Sequence, residues 1–596
     1  MIISNIDWAI IAAFFLVSLL IGIITAKRAG KNAKEFFLSG RNMPWWLLGV
    51  SMVATTFSAD TPNLVTDIVR KNGVSGNWVW WAFLLTGMLT VFVYAKLWRR
   101  SKVTTDLEFY EIRYGGKPAA FLRAFRALYL GVFFNIVIMA TVSLAAIKIG
   151  GVMLGLSPVQ TMLIASVVTV LYSSLGGLRG VLLTDFFQFF ISILGSFGAA
   201  WYILKQPGIG SLNGLFTHPN VADKLNLLPD FNDTGTLVPL LLMPIAVQWW
   251  ATWYPGAEPG GGGYIAQRML SAKDEKNAIG ATLFFNIAHY ALRPWPWIII
   301  ALSSLIVFPE ISDLKVAFPH LPEDKLNDDL AYPAMLTFLP VGLLGVVLAS
   351  LIAAFMSTIS THLNWGSSYI VNDFYVRFIK PEASDREQVN VGRLSTVLLM
   401  FFAALLALEL SNALQAFDIL LQIGAGTGMI FILRWFWWRI NAFTEISGML
   451  ISFFVAIYFE LIHDKIGMAP LLSYEKLLIG VTITTACWLM VTLVTKPEKN
   501  SVLRRFYKLV KPASIGWRTF LSQNPDIKPE RGQLPFEIGL MVMGCATVYC
   551  ALFATGFWLY GNTFAALVTT AIAISGSLGL MFSWNKMHTD KDSSDK

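Results

Sequence analysis

A chain of 596 residues, 55% hydrophobic and only 14% charged, with a mean hydropathy of +0.60, is too apolar for a soluble multidomain protein. Apolar stretches near the ~20 residues that cross a bilayer as a helix recur from Trp8 to Trp584, whereas a barrel shows short alternating segments. The net charge of +8 comes from Lys and Arg in short loops between apolar spans, which fits membrane orientation and argues against a nucleic-acid partner.

In chain order, the first span, Trp8 to Ala26, lacks a basic leader and a small-residue cleavage site, so a retained helix is expected. Basic loops follow at Lys27, Arg28, Lys31 and Lys34, then at Arg99, Arg100 and Lys102, then at Arg377 and Lys380. The last holds Arg504, Arg505, Lys508 and Lys511. The alternate loops are poor in Lys and Arg, and the one from Pro309 to Ala331 is acidic. About fifteen spans are predicted by hydropathy in an all-α polytopic membrane protein. The positive-inside rule places the N-terminus outside and the C-terminus in the cytoplasm, across an inner membrane, which requires an odd number of spans. The linker from Lys496 to Arg531 contains Arg504-Arg505-Phe506-Tyr507-Lys508, a pattern that fits a surface-lying helix or a plain basic cytoplasmic loop. Cys487, Cys545 and Cys550 lie in apolar spans, match no zinc or haem spacing and are expected to pack.

Two spans are interrupted. The second, Trp45 to Leu64, breaks at Thr55-Thr56-Phe57-Ser58-Ala59-Asp60-Thr61-Pro62. The seventh, Leu237 to Tyr254, dissolves into Pro255-Gly256-Ala257-Glu258-Pro259 and the glycines Gly260 to Gly263. Irregular backbone at membrane depth is tolerated where it lines a cavity, and a matched pair five spans apart points to an inverted-repeat transporter with a site at the midplane. The ninth span presents hydroxyls at Ser357, Thr358, Ser360 and Thr361 within about one turn. Such hard oxygens suit a hard cation, although Ser and Thr also pack membrane helices together. The sixth span carries Asp185, an intramembrane acid and so a functional candidate by default; its structural alternative is a pair with Arg179.

The run Gly176-Gly177-Leu178 through Thr184-Asp185 to Gln188, the stretch Tyr264-Ile265-Ala266-Gln267-Arg268, and the run Ser357-Thr358 to Leu363-Asn364 closely resemble the solute:sodium symporter family. The resemblance covers roughly residues 7 to 460. It implies a leucine-transporter-type core of two inverted five-helix repeats and symport of sodium with a small organic solute. The expected division is a peripheral helix and basic loop at 1–40, the first repeat at 41–235, the second at 236–440, and peripheral helices at 441–596 with a cytoplasmic loop at 496–533. The resemblance also implies a sodium site at the carbonyls of Ala54 and Phe57 together with Ala354, Ser357 and Thr358. Some members bind a second sodium ion, and the matching positions are Asp185, Ser357, Ser360 and Thr361. One or two Na+ ions are therefore expected, two being favoured by the acid at Asp185, although members that use one sodium also carry it.

By the same resemblance the solute meets Ser58 and Thr61, the third span near Trp78 to Ala82, the seventh near Trp250 to Tyr254, and the eighth near His289. Sugar carriers of the family place a glutamine, a glutamate, an asparagine and a lysine where this chain has Thr61, Val79, Ala251 and His289. Tyr254 is placed to close the inner face of the site. Glu258 and Arg293 are buried charges that either pair with each other or contact solute, and a lone Arg293 would suit a carboxylate. Asp60 is read as a cap of the second half-helix. Trp249, Trp250 and Trp253 either stack on a sugar or heterocycle or belong to an interfacial belt. The expected cargo is a sugar, polyol or amino sugar, with an amino acid or other carboxylate as the alternative. A transporter-like sensor is the alternative from another class; the sequence has no His-Glu-x-x-His pair, nucleophile elbow or phosphate loop to suggest an enzyme. The expected partners are solute, sodium and the lipid bilayer, with no obligate protein partner.

Overall fold

The computed structural model describes residues 3–29, 32–56, 58–251, 258–410, 413–512, 515–529 and 533–586. Phe57, Trp253, Tyr254 and the start of the glycine-rich break, on which several expectations rest, lie outside the described residues. The described chain is all-helical, with one isolated bridge between Met43 and Ala272. Among the described residues eleven helices are long and apolar enough to cross a membrane, accompanied by four shorter apolar helices.

The first long helix, α1 (Asn5–Ala29), is followed by α2 (Trp45–Thr56) and α3 (Thr61–Asn72), the two halves of the first interrupted span. Helices α4 (Val74–Ser101) and α5 (Gly116–Leu154) come next. A single run of helix bends at Gly177, whose φ of +54° is a conformation favouring glycine, and separates α6 (Pro158–Leu171) from α7 (Gly177–Ile203). The second interrupted span comprises α8 (Thr234–Ala246) and α9 (Gly263–Ser271). Then follow α10 (Glu275–Val307), α11 (Leu343–Ile379), α12 (Asp385–Glu409), α13 (Ala413–Phe436), α14 (Ala442–Glu460) and α15 (Ser473–Val494). The polar linker folds as α16 (Asn500–Val510), ahead of α17 (Leu534–Leu559) and α18 (Thr563–Trp584).

Small residues decide how closely the central helices approach. Along α7 and α11, Ser357 Oγ donates to Asp185 Oδ1 at 2.6 Å, Ser192 Oγ donates to the Ser350 carbonyl at 3.3 Å, and Gly195 lies against the Ser350 side chain. Without a hydrophobic drive between helices in lipid, such close packing and hydrogen bonding hold them together. By contrast, α18 keeps Phe564, Met581 and Phe582 exposed, as a lipid-facing helix does.

The two ends of the bundle differ in charge. At one end Arg123 joins Asp373 at 2.7 Å and Glu111 at 2.7 Å, Arg377 reaches Glu111 at 2.9 Å, and Arg505 donates to the Glu111 carbonyl. At the other end the acidic loop is pinned by Arg70 to Asp328 at 2.7 Å and by Lys148 to Asp329 at 2.6 Å. The α16 helix does not present its apolar face to lipid. Leu503, Phe506, Tyr507 and Val510 are buried, Trp517 stacks on Phe506, and the Arg113 guanidinium lies 5.3 Å from the Phe506 ring centre. The cysteines are free, with Cys545 buried and the other two half-buried.

Candidate functional site

The site forms where α2 ends. A helix leaves its last four carbonyls without intrahelical donors, and here other elements claim most of them. Arg293 Nη1 donates to the Val53 carbonyl at 2.8 Å and Nη2 to the Thr56 carbonyl at 3.3 Å; Thr358 Oγ1 donates to the Thr55 carbonyl at 2.7 Å. Among the described residues no side chain of another element donates to the Ala54 carbonyl. Thr55 Oγ1 and Thr361 Oγ1 are 3.0 Å apart, so α2 and α11 are joined at two successive hydroxyls.

Ala354, Ser357, Thr358, Ser360 and Thr361 are all buried on α11, and Ala54 is buried on α2. A hydroxyl that donates its proton keeps two acceptor lone pairs. Thr358, which donates to Thr55, and Ser357, which donates to Asp185, therefore have their protons turned away and their oxygens available to a cation. Ser360 Oγ donates back to the Ser357 carbonyl at 3.1 Å.

Asp185 is fully buried, and its cationic neighbour is Arg268, 3.8 Å away, not Arg179. The six-residue offset from Arg179 puts the two on different helix faces. Ser51 also donates to Asp185, while Arg268 donates to Ser51 and, at 2.8 Å, to Thr361 Oγ1. Gln267 donates to Asn364 Oδ1 at 3.0 Å and to the Phe37 carbonyl. The three sequence motifs thus converge on one polar node. The motif at Tyr264 to Arg268 carries the family resemblance without assigning Gln267 or Arg268 a role; a Gln-Arg pair inside an otherwise apolar turn is the signal that points to one.

The solute candidates divide. His289 and Arg293 come together, with Nη2 2.6 Å from His289 Nδ1, and the Arg293 guanidinium lies 5.1 Å from the Trp297 ring centre. Trp80 packs edge-on to His289 at 5.7 Å and stacks with Tyr290 at 5.9 Å. Tyr264 OH meets Thr56 Oγ1 at 3.0 Å, and Ser58 is buried beside the break with Thr61 half-buried at the start of α3.

Trp78 points elsewhere. Its indole donates to the Leu227 carbonyl at 3.0 Å and its ring packs 5.1 Å from Tyr549 on α17, so Trp80 is the aromatic of this segment that faces His289. Nor do Glu258 and Arg293 pair with each other. Glu258 is held by Arg126 and by Arg434 at 3.1 Å, because α5 and α13 bring arginines to the second break while Arg293 turns to α2. Asp60 occupies the residue before α3, but its backbone is helical and its side chain makes no cap hydrogen bond. Trp250 is half-buried, edge-on to Trp249, and its carbonyl abuts Gly428 of α13.

A family model described as the sodium:solute symporter family matches residues 36–452. The chain belongs to that family. Its relatives include the sodium/glucose cotransporter of Vibrio parahaemolyticus, 26% identical over 506 residues, covering 80% of this chain and 90% of the relative. The sodium/sialic acid symporter of Proteus mirabilis is 26% identical, covering 75% and 88%. The sodium/myo-inositol cotransporter 2 of Oryctolagus cuniculus is 26% identical, covering 83% and 78%. A solved sodium-coupled sialic acid symporter in a substrate-bound outward-open state superposes with a TM-score of 0.67 at 22% identity, covering 83% of this chain and 99% of that one. The symporter therefore has the leucine-transporter-type fold expected of two inverted five-helix repeats, and it is a multi-pass membrane transporter, not an enzyme.

Proposed function

We propose that the protein carries a sugar, polyol or amino sugar into the cell with sodium, by alternating access. The observation that carries this reading is the set of oxygens at the end of α2 and on α11, above all the Ala54 carbonyl, to which no described side chain donates while Arg293 and Thr358 take its neighbours. Sodium bound by Ala54, Phe57, Ala354, Ser357 and Thr358 ties the first broken span to α11 and favours the outward-open state; its loss inside lets the two part. Each charge moved contributes about 2.3 kcal/mol per 100 mV. Coupling follows because sodium and solute favour the same state.

The solute is read as meeting Ser58 and Thr61 at the break with Trp80, His289 and Trp250 around it. The names of the relatives support a sugar-like cargo. Arg293 commits both terminal nitrogens to the carbonyls of α2 and to His289, which favours a sugar over the carboxylate alternative. At the second oxygen set, Arg268 already supplies positive charge to Asp185, so one sodium per cycle is the leading stoichiometry. The Ser357 hydroxyl on Asp185, with Ser360 and Thr361 following on the same helix, supports a second ion.

The positions of the two interrupted spans support the domain division at 40, 235 and 440, and the four shorter apolar helices beside the eleven long ones support a count of fifteen crossings. An inner-membrane location with the N-terminus outside is supported by the basic end of the bundle. The test is uptake into proteoliposomes of labelled sugars, polyols and carboxylates with and without an inward sodium gradient. Sodium-dependent accumulation of a sugar-like compound, abolished by Ser357→Ala/Thr358→Ala, is expected, with a Hill coefficient for sodium near one. A coefficient near two establishes the second ion. Sodium-dependent binding without uptake makes the protein a sensor, and sodium-independent uptake refutes the reading.

A further inference from the structure

Gln188 is 1% exposed, yet neither its amide oxygen nor its amide nitrogen has a hydrogen-bond partner. A buried amide left unsatisfied is costly, and native interiors rarely tolerate one without a reason. Its position in the bundle supplies that reason. On α7, residues 185, 188, 192 and 195 follow helical spacing down one face. Asp185 meets Ser357, Ser192 meets Ser350, and Gly195 lies against Ser350. Gln188, between them, therefore faces α11 at the level of Ala353 and Ala354. On α2 the same register holds: Ser51 meets Asp185, and Ala54 is one turn farther on. The orphaned amide thus stands level with Ala54 and Ala354, two of the positions that hold the coupling ion in the reading above.

We propose that Gln188 is an additional sodium ligand, supplying its amide oxygen from α7 to the ion held between α2 and α11. An amide oxygen is a hard donor of the same kind as the backbone carbonyls in this site. This ligand would bring a third helix into the ion's shell, so that sodium binding fixes α7 as well as α2 and α11. The inference rests on the sodium-symport reading, and its test separates the two.

Gln188→Leu removes the oxygen while keeping similar bulk. In proteoliposomes the half-saturating sodium concentration is expected to rise about tenfold, equal to about 1.4 kcal/mol. Solute affinity at saturating sodium and the thermal midpoint in detergent stay near wild type, which a merely packing role would not predict. Gln188→Asn, which withdraws the amide by one methylene, is expected to give an intermediate rise and serves if the leucine variant does not fold. An unchanged sodium half-saturation in whichever variant folds overturns the ligand. If Ser357→Ala/Thr358→Ala loses sodium dependence while Gln188→Leu keeps wild-type values, Gln188 alone is wrong; if neither alters the sodium response, the ion site itself is wrong.

Discussion

Arg293 shows how one residue can carry a break in a membrane helix. Its guanidinium satisfies two of the carbonyls that α2 exposes where it ends, a role its sequence position among Pro294, Trp295 and Pro296 does not announce. Arg293→Gln shortens that reach and orphans at least one buried carbonyl, so a loss of about 1–3 kcal/mol is expected. The measurement is the thermal midpoint in detergent alongside sodium-dependent uptake. Arg293→Lys is expected to recover less than half of the loss, since an ammonium lacks the planar fork that spans two carbonyls; recovery to wild type would remove the claim. The residues of the proposed ion site are legible as candidates because hydroxyls at Ser357, Thr358, Ser360 and Thr361 and an intramembrane acid at Asp185 stand out against an apolar background. Their partners are not, because Arg268 and Gln188 acquire meaning only from the helices opposite them.

Among the elements, the second interrupted span is held as much by backbone approach as by side chains. A Cβ at Gly428 would lie 1.7 Å from the Trp250 carbonyl, so α13 presses directly on the broken segment. Gly428→Ala forces those elements apart at an expected cost of about 1–3 kcal/mol. Uptake rate is expected to fall with the thermal midpoint; unchanged values would show that the segment gives way freely. Sequence periodicity located both breaks, because Pro and Gly clusters interrupt otherwise continuous apolar runs. The resemblance pointed to Trp78 and left the partner of Glu258 open; neighbouring tryptophans on a helix point in different directions, and only packing against α17 shows that Trp78 is turned away, as only the approach of α5 and α13 supplies Glu258 with its arginines.

Across the whole molecule, the basic end is closed by a charge network around Glu111 that links the α4–α5 connection to α11 and the α16 linker. Burial pushes the Glu111 carboxyl up, but hydrogen bonds from Arg377 and Arg123 outweigh it and hold the group below its ordinary value. A depressed carboxylate contributes stability that is present above the unfolded value of about 4.3 and lost as pH falls through the lower folded value. The wild-type thermal midpoint is therefore expected to drop more than that of Glu111→Gln as detergent solutions are taken from neutral to acid pH. Equal drops would show that the network contributes nothing. The sequence by itself determined the solvent, the helical class, the alternation of charged loops, the two breaks and the family, because each is written in composition and spacing along the chain. Only the tertiary structure decided which carbonyls of α2 Arg293 and Thr358 take, that Asp185 answers to Arg268, and that the buried Gln188 amide has no hydrogen-bond partner. Those facts depend on the register between helices far apart in sequence, which no local pattern encodes.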